Sequence, residues 1–311
     1  MKRIPLFLSM CLSLGLLLAA CMPSISLVSV TSTPAGMTLK DGLDRSVTLA
    51  APAQKIISLA PSNTEILFAV GAGRQIVARD DFSDFPTEAK DLPSIGGSSG
   101  NLNLEQITSL QPDLVLASAL NTPEQVKALE NLKLTVYYLP NPTDMDGLYQ
   151  NLETVGQLTG HEKEAKALAD SLHQRVDRVV QKVSQANKPL VFYELDGSEP
   201  SKPWTAGPGT FVDTLLQMAG GRNIGNQLSS AWAQISQEEL ITGNPDVILL
   251  GDAAYGVTPE QVAARPGWNG IKAVTQNKMF AFDDNLVSRP GPRLVDGLEA
   301  MAKILHPELY P

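Results

Sequence analysis

The carboxylates Glu194, Asp252 and Asp284 each stand at or just beyond the end of a short apolar run, the place of a side chain at a strand end. Acids so placed can accept hydrogen bonds from a bound molecule or work as a general acid and base. The second use wants a nucleophile or an imidazole alongside. The chain has no His-Glu-x-x-His and no Walker phosphate loop. His161 and His173 fall on a long helical pattern and His306 precedes Pro307, so all three histidines are expected in solvent. A zinc or manganese site needs converging imidazoles and carboxylates, so neither a metal site nor a cofactor is expected. Gly207-Pro208-Gly209-Thr210 reads as a tight turn with Thr210 capping the next helix, or as an anion cradle at that helix N-terminus. Aromatic residues make up only 5% of the chain, which makes its tryptophans informative. Trp204, Trp232 and Trp268 all read as loop residues. Trp204 and Trp232 suit a broad, flat ligand that is part apolar and part polar, while Trp268, beside Gly267, reads as lid packing.

Outward along the chain, a small hairpin is expected around 40–49, then a strand at 55–59, Pro61-Ser62, and a helix that carries Ile66, Leu67, Phe68 and Val70 and is closed by Gly71. Ser62 and Glu65 have capping-box spacing at its start. Strand 76–78, helix 104–110, strand 114–117, helix 123–132 and strand 135–139 follow. A second set comprises strands at 190–194, 247–250 and 279–282 with helices at 210–219, 237–242 and about 293–305. Strands alternating with helices imply mostly parallel sheets covered on both faces. The two sets share a pattern in which a helix ends before Pro112-Asp113 or Pro245-Asp246 and a buried strand follows. Between them, apolar residues keep helical spacing, with a helix at 161–186 that would be about 39 Å long. The expected fold is α/β, with two Rossmann-like lobes at 39–145 and 188–311 joined through a helical segment at 146–187 whose long helix is rigid. Ligands of open α/β sheets bind beyond the carboxyl ends of the strands. That rule selects Ser62, Asn63, Asp81, Phe82 and Ser99 in the first lobe. In the second it selects Tyr193, Glu194, Trp204, Trp232, Asp252, Asp284, Asn285 and Arg289.

The chain has 311 residues, a formal charge of −9 and a hydrophobic fraction of 43%, which exclude a disordered protein. Only one stretch is uninterruptedly apolar, so a multi-span membrane protein is excluded as well. The acidic balance excludes nucleic acid as a partner. Lys2 and Arg3 precede an apolar run ending Leu18-Ala19-Ala20-Cys21, which reads as an export signal over residues 1–20. The run resembles the bacterial lipobox, in which Cys21 would carry a lipid that anchors the exported protein to the membrane. Cys11 would leave with the signal, so the mature chain would hold no disulfide. The Ser-, Thr- and Pro-rich stretch at 21–38 reads as a flexible tether.

Several stretches carry a family resemblance when taken in order. They are Ile57-Ser58-Leu59-Ala60-Pro61-Ser62-Asn63-Thr64-Glu65, Leu104-Glu105-Gln106-Ile107 through Pro112-Asp113-Leu114-Val115, Thr205-Ala206-Gly207-Pro208-Gly209, Ala219-Gly220-Gly221-Arg222-Asn223 and Ile235-Ser236-Gln237-Glu238. The chain resembles the helical-backbone solute-binding proteins of ABC importers for cobalamin, iron–siderophores and haem. Asp81-Phe82-Ser83-Asp84-Phe85-Pro86 and Ser230-Ala231-Trp232 look most like the cobalamin branch. The resemblance implies a monomeric receptor, not an enzyme, that captures a large metal chelate between its lobes and delivers it to an ABC permease. It also implies docking on the permease through one acid per lobe. Glu65 stands at the first position, and Gln217 stands at the second with Asp213 four residues earlier. The tryptophan of cobalamin receptors in the first-lobe loop is replaced by Ser98-Ser99. Other readings stay open. A siderophore would use Arg79, Arg289 and Arg293, and haem would need Tyr193 or Tyr255 as axial ligand. A lipid-anchored enzyme would use Glu194, Asp252 and Asp284, and a surface adhesion module would bind no small molecule.

Overall fold

The computed structural model describes residues 36–97 and 100–311. The expected export signal, Cys21, Ser98 and Ser99 lie outside the described residues, and β1 starts at Met37, already within the expected tether. Among the described residues no helix is long and apolar enough to cross a membrane.

A hairpin of β1 (Met37–Lys40) and β2 (Ser46–Leu49) opens the first lobe, its turn held by the carboxylate of Asp41, which accepts from the Leu43 and Arg45 amides at 3.0 Å. The chain then runs through β3 (Ile56–Ser58), α1 (Pro61–Ala69), β4 (Ile76–Arg79), α2 (Leu104–Ser109), β5 (Leu114–Ala117), α3 (Pro123–Asn131) and β6 (Val136–Tyr138). The four core strands pair in parallel in the order β4-β3-β5-β6. β3 and β5 are buried along their whole length, as a strand covered on both faces must be.

Two helices follow, α4 (Met145–Thr159) and α5 (Glu162–Val183), with Gly160 left-handed at φ +78° between them. The connection is therefore a helix pair, with α5 spanning about 33 Å at the standard rise. They pack so closely that a Cβ on Gly156 would sit 2.5 Å from the Ala165 Cβ. Along α5 the buried residues Ala165, Ala169, Leu172, Val176, Val179 and Val183 form one stripe at three- and four-residue spacing. At the edge of this stripe Arg175 pairs with Asp296 and Glu299.

The second lobe holds β7 (Leu190–Asp196), β8 (Trp204–Ala206), α6 (Phe211–Met218), β9 (Arg222–Asn223), β10 (Trp232–Gln234), α7 (Gln237–Gly243) and β11 (Val247–Leu250). It ends with α8 (Pro259–Ala263), α9 (Lys272–Thr275), β12 (Met279–Ala281), α10 (Asn285–Ser288) and α11 (Leu294–Leu305). Its sheet is mixed. β7, β11 and β12 run parallel, while β8 and β10 add an antiparallel edge in the order β10-β8-β7-β11-β12, with β9 beside β7. Trp204 and Trp232 thus open strands instead of lying in loops; their backbones are fixed by the pairings Gln234 with Trp204 and Trp232 with Ala206.

The shared Pro-Asp pattern has a physical basis. Asp113 and Asp246 each stand just before a central strand, β5 or β11. Each carboxylate accepts an amide at the start of the neighbouring strand, Lys55 at 2.9 Å in one lobe and Leu190 at 2.8 Å in the other. The residue before each proline, Gln111 or Asn244, is left-handed at φ +49°. One continuous apolar core runs from Ile56 and Leu116 through Leu152, Leu172 and Val176 to Leu215, Leu249 and Leu298, so the helix pair joins the lobes through packing. Two expectations about burial are corrected. His306 is enclosed at 1% exposure, and Trp268 is fully buried, edge-on to Phe192 at 6.2 Å, where it fills the second-lobe core.

Candidate functional site

The carboxyl ends of the parallel strands converge where the lobes meet. A cavity of about 290 Å³ opens there, lined by Asn141, Pro142 and Thr143 beyond β6 and, from the second lobe, by Gly209 to Phe211, Trp232, Ser288 and Pro290. The large aromatic side chains near these strand ends are unusually bare: Phe82 at 56%, Trp204 at 41%, Trp232 at 51% and Tyr255 at 89% exposure. Tyr255 ends the turn that follows β11. By register, Trp204 and Trp232 lie on the same face of their antiparallel pair, so the edge presents two indoles to one side.

The polar residues expected to touch ligand divide into exposed and structural groups. Asn63 is buried, and its amide donates to the Leu116 and Ala117 carbonyls at 3.0 and 3.1 Å, locking α1 against β5; Ser62 beside it is buried too. Tyr193 is buried, and its hydroxyl donates to Asp284 at 2.8 Å. Burial, with Asp284 beside it, pushes this phenol well above its ordinary range. Glu194 is enclosed and held by Arg265 through both oxygens, and Asp252 is enclosed and accepts from the Gly197 amide at 2.9 Å. Burial raises both carboxyls, against the pull of Arg265. Asp81 accepts from Ser94, and Asn285 donates to Asp283 at 3.0 Å. Asp80 carries a function that sequence reasoning missed. Buried, and raised by that burial, it accepts from the Phe82 amide at 2.8 Å and from Ser83, so it fixes the loop that exposes Phe82.

The arginines are equally engaged. Arg79 donates to the Ala89 and Asp80 carbonyls at 2.8 and 2.7 Å. Arg289 pairs with Asp84 at 2.6 Å and approaches Glu65 at 3.5 Å. Arg293 grips both oxygens of Glu65 at 2.8 and 2.5 Å and stacks 4.0 Å from the Phe85 ring. Arg289 opposes burial strongly enough to lower the Asp84 carboxyl, and Glu65 raises Arg293. Glu65 and Asp84 belong to the first lobe and both arginines to the second, so the cluster clamps the lobes together.

This placement corrects two expectations. α1 begins at Pro61 after extended Ala60 with no side-chain cap, so Glu65 is not part of a capping box. Its carboxylate is almost fully enclosed, and so presents nothing to a permease arginine in this conformation. Asp213 is also turned inward, accepting from Asn223 at 3.1 Å and from Gln217 at 2.9 Å, which leaves exposed Gln217 as the outward group there. Gly96-Gly97-Ser98-Ser99-Gly100 spells Gly-x-Ser-x-Gly by letter. Its described flanks are loop, whereas a nucleophile elbow joins a strand directly to a helix. The histidines lie elsewhere, with His161 and His173 at α5 and His306 after α11.

Residues 56–286 match the periplasmic binding protein family over most of the chain. The chain belongs to that family. It is a family of solute-binding proteins, not of enzymes. An ABC transporter substrate-binding lipoprotein of Bacillus subtilis (strain 168) is 31% identical over 88% of this chain and 87% of its own length. A vitamin B12-binding protein of Vibrio campbellii is 30% identical over 79% of this chain and 87% of its own. Among solved structures, a possible iron-binding periplasmic protein from Staphylococcus epidermidis is 32% identical with a TM-score of 0.71, covering 82% of this chain and 99% of that one. A periplasmic heme-binding protein from Roseiflexus sp. RS-1 is 27% identical with a TM-score of 0.73, covering 83% and 99%.

Proposed function

We propose that the chain is the extracytoplasmic, lipid-anchored receptor of an ABC importer, and that its cargo is cobalamin, taken up between the lobes and handed to the permease. One observation carries the choice of cargo: the arginines that could meet an anion are already engaged, while the aromatic rim is bare. Arg289 and Arg293 hold Glu65 and Asp84, Arg265 holds Glu194, and Arg79 holds backbone carbonyls. An anionic ferric siderophore would have to displace one of these pairs and strand an enclosed carboxylate, which is costly. A neutral, amide-fringed macrocycle needs apolar faces and hydrogen-bond acceptors instead. Phe82, Trp204, Trp232 and Tyr255 supply the faces, and Asp81 and Asp283 are exposed acceptors. The open interlobe cavity, about 290 Å³, lies at the low end for small-molecule pockets. The cargo therefore rests across the aromatic rim and not wholly inside that cavity. The relative named for vitamin B12 binding supports this reading.

Tyr255 favours a second reading. With Tyr193 buried and bonded to Asp284, Tyr255 is the candidate phenol left free to ligate a haem iron, and a solved neighbour is named for heme. The deciding experiment is a calorimetric titration of the domain lacking Cys21 and everything before it with cyanocobalamin. One-to-one, sub-micromolar binding is expected. No heat with cyanocobalamin, together with a haemin absorbance shift that Tyr255→Phe abolishes, would move the cargo to haem.

A further inference from the structure

Beneath the second-lobe rim, segments far apart in sequence meet on one small charged cluster. Arg265 follows α8, and its guanidinium lies 4.6 Å from the buried Trp268 ring. From there it donates from Nη2 to Glu194 Oε1 at 2.8 Å and from Nη1 to Oε2 at 2.5 Å, with both side chains enclosed. Asp252 opens the turn that ends in Tyr255, and its Oδ2 accepts from the Gly197 amide at 2.9 Å. A Cβ on Gly197 would collide with Arg265 Nη2 and sit 2.5 Å from Glu194 Oε1, so a side chain here would have to push the Arg265–Glu194 pair aside. Asp252 Oδ1 is enclosed and without a hydrogen-bond partner. The Asp252 carboxyl as a whole lies near Glu194, a contact that becomes a hydrogen bond only when one of the two carboxyls holds a proton. Of the two enclosed carboxylates, Glu194 thus holds the guanidinium directly and Asp252 feels its charge only through space. Among the described residues, the further charged groups that bear most on the cluster are Asp196 and, by way of Tyr193, Asp283 and Asp284, all of them acids.

We propose that Arg265 is the positioning residue of the second-lobe wall: by gripping Glu194 it holds the Glu194–Asp252 pair together, and through Asp252 it fixes the loop and the turn that present Trp204 and Tyr255. Without the guanidinium the carboxylates repel, Asp252 moves off the Gly197 amide, and the loop at 197–203 and the turn at 251–255 loosen together. A proton shared between the carboxyls can then take the guanidinium's place, so the damage heals in acid. Burial already favours that proton on both groups. The consequence for ligand affinity rests on the reading of the cleft as the solute site; the cluster itself does not.

The test is hydrogen exchange of the ligand-free full chain, corrected for intrinsic rates, read over 197–203, over 251–255 and over β3 and β5 of the first lobe. Arg265→Met should speed exchange in both second-lobe segments by at least about tenfold and leave the first lobe unchanged. Lowering the pH should restore protection in Arg265→Met while wild type stays level. Adding Glu194→Gln to Arg265→Met should restore it at neutral pH, which lost packing alone would not allow. Wild-type protection in Arg265→Met overturns the proposal, and so does loosening that neither acid nor Glu194→Gln repairs. Should Arg265→Met fail to fold, Asp252→Ala replaces it. That variant should loosen 197–203 in wild-type background, and full protection there overturns the proposal equally. A parallel cyanocobalamin titration separates the questions, since a cluster that behaves as described in a protein that binds no cyanocobalamin leaves Arg265 assigned and removes only the cargo.

Discussion

Asp252 is the residue at which charge and geometry can be separated, because asparagine keeps an oxygen for the Gly197 amide while removing one of two charges from a site with one guanidinium. Burial raises the folded carboxyls of Asp252 and Glu194 above ordinary values of 3.8 and 4.5. Groups shifted upward contribute stability that is complete below the ordinary value and lost as pH rises through the folded one. Asp252→Asn should therefore stabilise the protein near pH 7.5, with the gain vanishing near pH 4. Thermal melts at both pH values check this, and a lower Tm for the variant near neutrality would refute it. The tryptophans test a different distinction. Trp232 is half bare at the cleft and Trp268 is fully enclosed. Trp232→Ala should leave the melt nearly unchanged and weaken cyanocobalamin binding at least about tenfold. Trp268→Ala should cost about 3–5 kcal/mol of stability. If Trp232→Ala bound cyanocobalamin like wild type, the rim would not be the binding surface.

At the scale of elements, long and periodic features were legible and short paired ones were not. The stripe on α5 repeats over six buried positions, and the Pro-Asp pattern marks where β5 and β11 begin. Each can be read locally because one face or one turn dictates it. β8 and β10 are three residues each, too short for alternation to show, and are strands only because they pair with each other and with β7. The same limit misplaced Trp204 and Trp232 in loops. Glu65 has capping-box spacing from Ser62, but the helix starts one residue before Ser62, so the spacing was accidental. The α4–α5 pair gives a prediction whose sign local propensity gets wrong. Gly156→Ala should gain roughly 0.5–1 kcal/mol of helix propensity. The new methyl would meet the Ala165 Cβ and stand 3.1 Å from the His161 carbonyl, and overpacking of this kind costs about 1–3 kcal/mol. A net loss of Tm is expected, and a gain would mean that the helices separate without cost.

The whole molecule is held by two interlobe devices of different character, a continuous apolar core through α4 and α5 and the clamp of Glu65 and Asp84 on Arg289 and Arg293. The core was foreseeable from amphipathic periodicity. The clamp was not, because Glu65 and Arg293 are 228 positions apart and each has an ordinary local role available to it. Because Glu65 is enclosed and Arg293 half-buried, removing either leaves the other's charge poorly compensated, with Glu65 keeping only Arg289 at 3.5 Å. Glu65→Gln or Arg293→Met alone should each cost about 3–5 kcal/mol, whereas Glu65→Leu combined with Arg293→Met should cost far less than their sum. The core keeps the doubly substituted lobes attached, so that variant stays folded but loses most of the charged restraint on lobe separation. Its radius of gyration in small-angle scattering should exceed the wild-type value without ligand and return toward it when cyanocobalamin bridges the rim. Additive single-site costs in the thermodynamic cycle would show that the clamp is not a coupled unit. An unchanged radius in the double variant would show that the core alone sets the distance between the lobes.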